Sequence, residues 1–455
     1  MDKLSCFKSY DIRGKIGIEL DELLIEKIGF AFATQFRTKN VVVGGDARAT
    51  SELFKKALIR GLNKAGSHAI DLGMTGTEEI YFATRHLQTD GGIQVTASHN
   101  PINYNGLKIV LKNSHPLSND NGLLDIKAMI SSIELPTSYE PSITQSTNKK
   151  DYITHILSYL DLTSIKPLRI VVNAGNGAAG PVVDALEAEL SSKNIPIELI
   201  KIHNEPDSSF PNGIPNPLLV ENRAPTSKAI IEHKADFGVA WDGDFDRCFL
   251  FDENGQFIEG YYIVGLLAQY FLLNSQSKEK IIHDPRLYWN TKDICESYHG
   301  IAIESKTGHA FLKDIMRKEN AVYGGEMSAH HYFRDFGYCD SGMIPWLLVV
   351  GLLSKTTGSL SHLVEERINL YPSSGEINQT VKNPKLILEQ IEEHFKEKAI
   401  KIDHTDGLSI EFEAWRFNLR ESNTEPLLRL NVESRGDIQL MKTATDKLLS
   451  LINLS

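Results

Sequence analysis

Asp242, Asp244 and Asp246 alternate in Trp241-Asp242-Gly243-Asp244-Phe245-Asp246-Arg247, and an arginine follows them directly. Three carboxylates converging in a partly dry loop repel one another. A hard divalent cation relieves that repulsion, and Mg²⁺ is the usual one where a phosphate completes the shell. Upstream, Thr96-Ala97-Ser98-His99-Asn100-Pro101 offers Ser98 as a nucleophile. Downstream, Arg420-Glu421-Ser422-Asn423-Thr424-Glu425-Pro426 offers a phosphate grip. Metal carboxylates, a hydroxyl able to carry a phosphoryl group and forked cations together point to phosphoryl transfer.

Each motif also has a plainer reading. The aspartate run resembles the start of a calcium EF-hand, with Glu253 at the twelfth position. That loop needs glycine at the sixth position, where this chain has Arg247. Its flanks, Phe237 to Trp241 and Cys248 to Phe251, read as strands rather than paired helices. Ser98 before a proline could be only a turn residue. His99 need not serve it, because neighbouring side chains in an extended segment point apart. Lys108, close in the chain, could act as general acid/base if nearby cations or burial depress its pKa. Arg420, Ser422, Asn423, Thr424 and Arg429 supply the guanidinium, hydroxyl and amide donors that suit phosphate oxygens. Gly175-Asn176-Gly177-Ala178-Ala179-Gly180 matches a dinucleotide fingerprint, and Glu198 lies near the spacing of its ribose-binding acid. Its mid-chain position and the following Pro181 favour a tight packing turn.

These loops need elements to hold them. Three times an apolar strand ends in a small or polar turn and a helix-like segment follows: Val41 to Val43 with Ser51 to Ala65, Arg169 to Val172 with Pro181 to Leu190, and Lys280 to Ile282 with Thr291 to Tyr298. Each unit is trailed by a second strand that runs into a distinctive loop. Ile93 to Val95 leads to Ser98, Phe237 to Trp241 to the aspartates, and Ala321 to Tyr323 to Gly325-Glu326-Met327-Ser328. Alternation of this kind predicts βαβ units with largely parallel sheets. Ligands in such sheets gather beyond the carboxyl ends of the strands. After Ser374 the pattern changes to α+β. Strands are predicted at Gly375 to Val381, Leu408 to Phe412, Arg416 to Leu419 and Leu427 to Val432, and helices at Pro384 to Ala399 and Ile438 to Ile452. The expected fold class is α/β: three related α/β domains with mixed, largely parallel sheets plus a smaller C-terminal α+β domain around a central cleft. Polar or turn-rich stretches place the domains at 1–150, 151–254, 255–371 and 372–455.

At 455 residues the chain is long enough for several such cores. A net charge of -11 argues against a broad nucleic-acid or anionic-membrane surface. Four scattered cysteines form no CxxC pair, which fits a reducing compartment. The longest apolar run, Met343 to Leu353, is far short of a bilayer span and contains Pro345. The expected location is cytoplasmic, with no membrane and no nucleic-acid partner.

In order, Tyr10-Asp11-Ile12-Arg13-Gly14, the Ser98 loop, the aspartate loop, Gly325-Glu326-Met327-Ser328 and the Arg420 loop make the chain resemble the α-D-phosphohexomutases along essentially its whole length. The resemblance implies that Ser98 is the phosphorylated nucleophile, and that Asp242, Asp244 and Asp246 hold Mg²⁺ with the Ser98 phosphate as a further ligand. It implies that Arg247 sits beside them and that Glu326 and Ser328 bind sugar hydroxyls. Arg420, Ser422, Asn423, Thr424 and Arg429 would grip the non-reacting phosphate. Arg13, Lys108, His309 and His330 resemble secondary active-site positions, and Arg286 stands where many relatives carry lysine.

The implied reaction is interconversion of mannose 6-phosphate and mannose 1-phosphate through a hexose 1,6-bisphosphate, supplying GDP-mannose synthesis. Turning the bisphosphate around implies a mobile fourth domain hinged near Tyr371–Ser374. The partners implied are small-molecule sugar phosphates, with the chain a monomer or weak homodimer. Glucose and glucosamine phosphates are rival substrates, and a Mg²⁺-dependent sugar phosphatase is the rival of another class.

Overall fold

Val41, Val42 and Val43 are wholly buried, as a strand covered on both faces requires. In the computed structural model, which describes residues 3–421 and 427–454, they lie in Asn40–Gly45 of the first sheet. That sheet runs Ile12–Lys15, Tyr104–Leu111, Gly91–Val95, Asn40–Gly45, His68–Met74, Ile143–Gln145. Asn40–Gly45 pairs in parallel with Gly91–Val95 and His68–Met74, while Tyr104–Leu111 is antiparallel to Gly91–Val95. Helices Glu22–Phe36 and Ser51–Lys64 pack their apolar stripes on it through Leu24, Ile28, Phe32, Phe54 and Leu58.

The second sheet repeats the plan in the order Cys248–Phe251, Phe237–Trp241, Leu168–Asn173, Ile197–Ile202. Its first strand is the antiparallel edge and the rest are parallel. A third sheet contains Ile301–Glu304, Lys280–His283, Tyr323–Gly325 and His331–Phe333. The fourth is antiparallel throughout: Ser373–Thr380, Leu427–Ser434, Trp415–Glu421, Leu408–Glu411, Lys401–Asp403. The class is therefore α/β with a closing α+β portion. The helix predicted from Pro384 ends at Phe395 and continues as a 3-10 turn over Lys396–Lys398.

By contacts the chain forms two compact units. The first runs to Phe257 and takes in Asp335–Thr357; the second is Ile258–Arg334 with the chain from Gly358 onward. Asp335–Thr357 thus lies inside the stretch read as a third domain, yet belongs with the first unit. The cause is local. Glu78 accepts bonds from Ser341 Oγ at 2.8 Å, Gly342 N at 2.5 Å and Met343 N at 3.2 Å, just before helix Ile344–Ser354. Trp241 Nε1 also donates to Gly342 O at 2.8 Å.

In the second unit the last sheet is fastened to the segment after Lys280–His283. Arg416, fully buried, donates to Arg286 O at 2.8 Å and Pro285 O at 3.0 Å and pairs with Glu433 at 2.9 Å. Glu433 also accepts from the Tyr288 amide at 3.0 Å.

Candidate active site

The hairpin Phe237–Trp241 and Cys248–Phe251 pairs Trp241 with Cys248, so residues 242 to 247 form its loop. All three aspartates are buried there, Asp242 and Asp244 at 0% exposure. Their ligand oxygens lie within 4.8 Å of one another. Thr77, at the start of helix Thr77–His86, holds Asp244 twice: its hydroxyl donates to Oδ2 at 2.5 Å and its amide to the backbone carbonyl at 3.1 Å. Gly76 leaves room for the Phe245 ring, which a Cβ would meet at 2.1 Å.

Asp242 Oδ1 and Asp244 Oδ1 are buried with no hydrogen-bond partner among the described residues. Such oxygens cost free energy unless a cation satisfies them. Burial, then repulsion from Asp246 and Asp244, pushes the Asp242 carboxyl up to about 8. A close set of inward carboxylate oxygens fits a hard divalent ion. The triplet can therefore hold a metal.

Lys108 Nζ pairs with Asp244 at 2.7 Å and with Asp246. Burial opposes its charge, but the two carboxylates outweigh burial and hold its pKa above the ordinary lysine value. Arg247 Nε lies 3.6 Å from Asp242 Oδ2, as the sequence expects of a neighbour.

Ser98 takes a left-handed backbone conformation, φ 50°, that costs a non-glycine residue about 1 kcal/mol or more. Arg48 holds this loop. Its Nη2 donates to Ser98 O at 2.9 Å and Asn100 O at 2.5 Å, and its Nη1 to Pro101 O and Tyr104 O, both at 3.0 Å. Thr96 Oγ1 accepts from the Ser98 amide at 2.8 Å and donates to Asp46 at 2.7 Å.

Ser98 Oγ donates to Asp242 Oδ2 at 2.8 Å. Gly243 permits the approach, since a Cβ there would fall 2.6 Å from Ser98 O. The left-handed turn also brings His99 Nδ1 to 3.0 Å from Ser98 Oγ. The extended geometry that separates neighbouring side chains does not apply to this turn. Burial, then the charges of Arg247 and Arg13, keep His99 well below the usual histidine pKa. With the hydroxyl proton given to Asp242, a neutral His99 carrying its proton on Nδ1 fills the other side of Oγ. Arg13 joins the loop from the edge strand Ile12–Lys15, its Nη1 donating to Asn100 Oδ1 at 2.8 Å.

In the second unit, Glu326 follows Tyr323–Gly325 and is 2% exposed. It accepts from Tyr332 Oη at 2.6 Å and from the Gly308 amide at 2.9 Å. Burial pushes its pKa up, opposed by Arg286. Gly308 caps helix His309–Glu319, so His309 opens that helix beside the Glu326 loop. Ser328 Oγ and His330 Nδ1 are 3.1 Å apart. Arg286 pairs with Asp284 at 2.6 Å. Arg420 and Arg429 sit directly opposite each other on adjacent strands. Ser422, Asn423 and Thr424 lie outside the described residues.

The Gly175–Gly180 run is a packing turn: a Cβ at Gly175 would meet Pro215 at 2.4 Å, and the Ala178 amide donates to Gly243 O at 3.3 Å. Glu198 pairs with Arg169 at 2.9 Å. Arg48 and Thr77 were not anticipated as site residues. Only the buried position of Arg48 reveals the four carbonyls it serves.

Four family models, phosphoglucomutase/phosphomannomutase α/β/α domains I, II and III and the C-terminal domain, match residues 5–151, 150–255, 259–371 and 376–448. The chain is 57% identical to a phosphomannomutase of Salmonella typhimurium, over 100% of both proteins. It is 56% identical to a phosphomannomutase of Escherichia coli, again over 100% of each. The chain belongs to the α-D-phosphohexomutase family. It is accordingly an enzyme of the isomerase class that moves a phosphoryl group. Among solved structures, a phosphoglucomutase/phosphomannomutase family protein of Burkholderia thailandensis is similar with TM-score 0.88 and 29% identity. That match covers 100% of this chain and 98% of the other. No helix among the described residues of this phosphohexomutase is long and apolar enough to cross a membrane.

Proposed function

We propose that the chain is a phosphomannomutase, interconverting mannose 6-phosphate and mannose 1-phosphate through a phosphoserine at Ser98. The observation that carries this reading is Ser98 Oγ, 2.8 Å from Asp242 in a buried carboxylate triplet. Asp242, Asp244, Asp246 and the Ser98 side chain would hold Mg²⁺, which when bound neutralises charge on the phosphoryl group in transfer.

The chain's own residues do the rest. Arg48 and Thr96 hold Ser98 in its left-handed turn. Phosphoserine gives its phosphoryl group to the C1 hydroxyl of mannose 6-phosphate, and the bond to Ser98 Oγ breaks as the bond to the sugar oxygen forms. The hydroxyl proton passes to a neighbouring base, the role read for Lys108 beside Asp244 and Asp246. The hexose 1,6-bisphosphate turns and returns its other phosphoryl group to Ser98, releasing mannose 1-phosphate. Arg247 and Arg13 steady the reacting phosphate. Arg420 and Arg429, with Ser422, Asn423 and Thr424, grip the other one. Glu326, Ser328 and Arg286 contact sugar hydroxyls in both orientations, with His309 and His330 beside them. The same bisphosphate would act as activator.

Four domains at 1–150, 151–254, 255–371 and 372–455 fit this division of labour. The product would feed GDP-mannose synthesis in the cytoplasm, from a monomer or weak homodimer.

A coupled assay with mannose 1-phosphate and glucose 1-phosphate tests the proposal. Steady interconversion with kcat/KM for mannose at least equal to that for glucose is expected. A clear glucose preference overturns the substrate, and net release of inorganic phosphate overturns the mutase reading.

A further inference from the structure

Arg420 and Arg429 are direct cross-strand partners, and like charges in that position repel. Four residues along the same strands, Arg416 faces Glu433, and that pair is satisfied at 2.9 Å. No such residue stands opposite Arg420. Its anion comes from Ser373–Thr380, on the far side of Leu427–Ser434, where Glu376 pairs with Asn431, diagonal to Arg429. Glu376 Oε2 lies 3.2 Å from Arg420 Nη2 and 3.4 Å from Arg286 Nη1, and Oε1 lies 3.3 Å from Arg429 Nη1.

One carboxylate thus serves three guanidinium groups. It is the only carboxylate ion-paired to Arg420 or Arg429 among the described residues. The Nε atoms of Arg286, Arg420 and Arg429 are buried and have no hydrogen-bond partner among the described residues. Arg286 has Asp284 as well, but Arg420 and Arg429 share this one monoanion, and their spare donors suit a ligand with more charge and more oxygens, such as a phosphate monoester dianion. Against its burial, Arg286, Arg420 and Arg429 keep the Glu376 carboxyl below the usual range, so it stays charged.

We propose that Glu376 is a resident counter-anion of the phosphate grip, which the substrate's non-reacting phosphate displaces from Arg420 and Arg429. Resting on the mutase reading, this deepens it. A relay must hold one phosphate through transfer and then let it go so that the sugar can turn. Arg420 and Arg429 with no counter-anion of their own would hold it too long. The returning carboxylate competes for the same donors and speeds release.

The test is calorimetric titration of inorganic phosphate into the full-length, metal-free protein at fixed ionic strength. Wild type, Glu376→Gln and an Arg420→Ala control are compared, the control defining binding at this site. Glu376→Gln should bind phosphate about tenfold tighter, and in turnover its KM and kcat should both fall. Equal or weaker binding by Glu376→Gln overturns the inference and leaves Glu376 a structural tie. Phosphate binding that Arg420→Ala leaves untouched overturns the assignment of the grip itself, a separate failure from that of Glu376. If Glu376→Gln does not fold, Glu376→Asp is measured instead. Its shorter side chain cannot bridge all three arginines, so tighter binding is again expected and unchanged binding again counts against the inference.

Discussion

Ser98 Oγ and Asp242 Oδ2 are bonded at 2.8 Å although 144 residues separate them in the chain. Both belong to the same compact unit, as do Lys108, Arg247, Arg13 and Arg48. The nucleophile and the carboxylate triplet therefore lie in the first unit. The Glu326 loop and the arginine face lie in the second unit. Each unit can be tested by its own readout.

Arg48→Lys probes the nucleophile loop. An ammonium has no planar fork and cannot serve four carbonyls at once. The Ser98 turn should relax, and kcat should fall about 10- to 100-fold while KM stays within about twofold, because misplacing a reacting group costs rate. Steady-state kinetics beside an unchanged circular dichroism spectrum would check this. An unchanged kcat would mean the turn holds itself.

Thr77→Val probes the metal loop. The substitution keeps the shape of the side chain and removes the hydroxyl bonded to Asp244 at 2.5 Å. Outer-shell partners of this kind orient the ligands, and their loss typically weakens metal affinity 10- to 100-fold. Equilibrium dialysis with Mg²⁺ reads the effect directly, and unchanged affinity would remove Thr77 from the metal site.

The aspartate triplet and the serine loop stood out in the sequence by residue type and spacing, and their order along the chain carried the family resemblance. The buried valine run of Asn40–Gly45 and the apolar stripe of Pro384–Phe395 were legible for the same physical reason: periodicity reports burial. What could not be read was placement in three dimensions. Nothing in the Thr96–Pro101 string announces a left-handed serine, so the approach of His99 was missed. Arg48 and Thr77 act on loops far away in the chain. The run at Met343 to Leu353 reads as core, but its sequence does not say whose core; the bonds from Glu78 decide that. The short strand Lys401–Asp403 has Ile402 as its single apolar residue, too little for a periodic signal.

Two buried histidines set an acid limit on stability. Burial lowers His331 to about 3 and, as the largest of several causes, lowers His283 to about 4. Their unfolded values lie near 6.5. Below about pH 6.5 the unfolded chain takes up protons that the folded one refuses, so stability present above that pH is lost as pH falls toward the folded values. Each histidine contributes a slope of about 1.4 kcal/mol per pH unit in that window. Denaturant melts from pH 7 to 4.5 should show the loss, and His331→Asn should flatten part of it. Identical slopes in both proteins would contradict the assignment.

The central claim is that Ser98 carries the phosphoryl group. The direct measurement is transfer of label from radiolabelled glucose 1,6-bisphosphate to wild type and Ser98→Ala in the presence of Mg²⁺, followed by peptide mapping and assay of mutase turnover. Stable label on the peptide containing Ser98, absent from Ser98→Ala together with turnover, is the predicted result. Label on another residue, or near-normal turnover by Ser98→Ala, would contradict it.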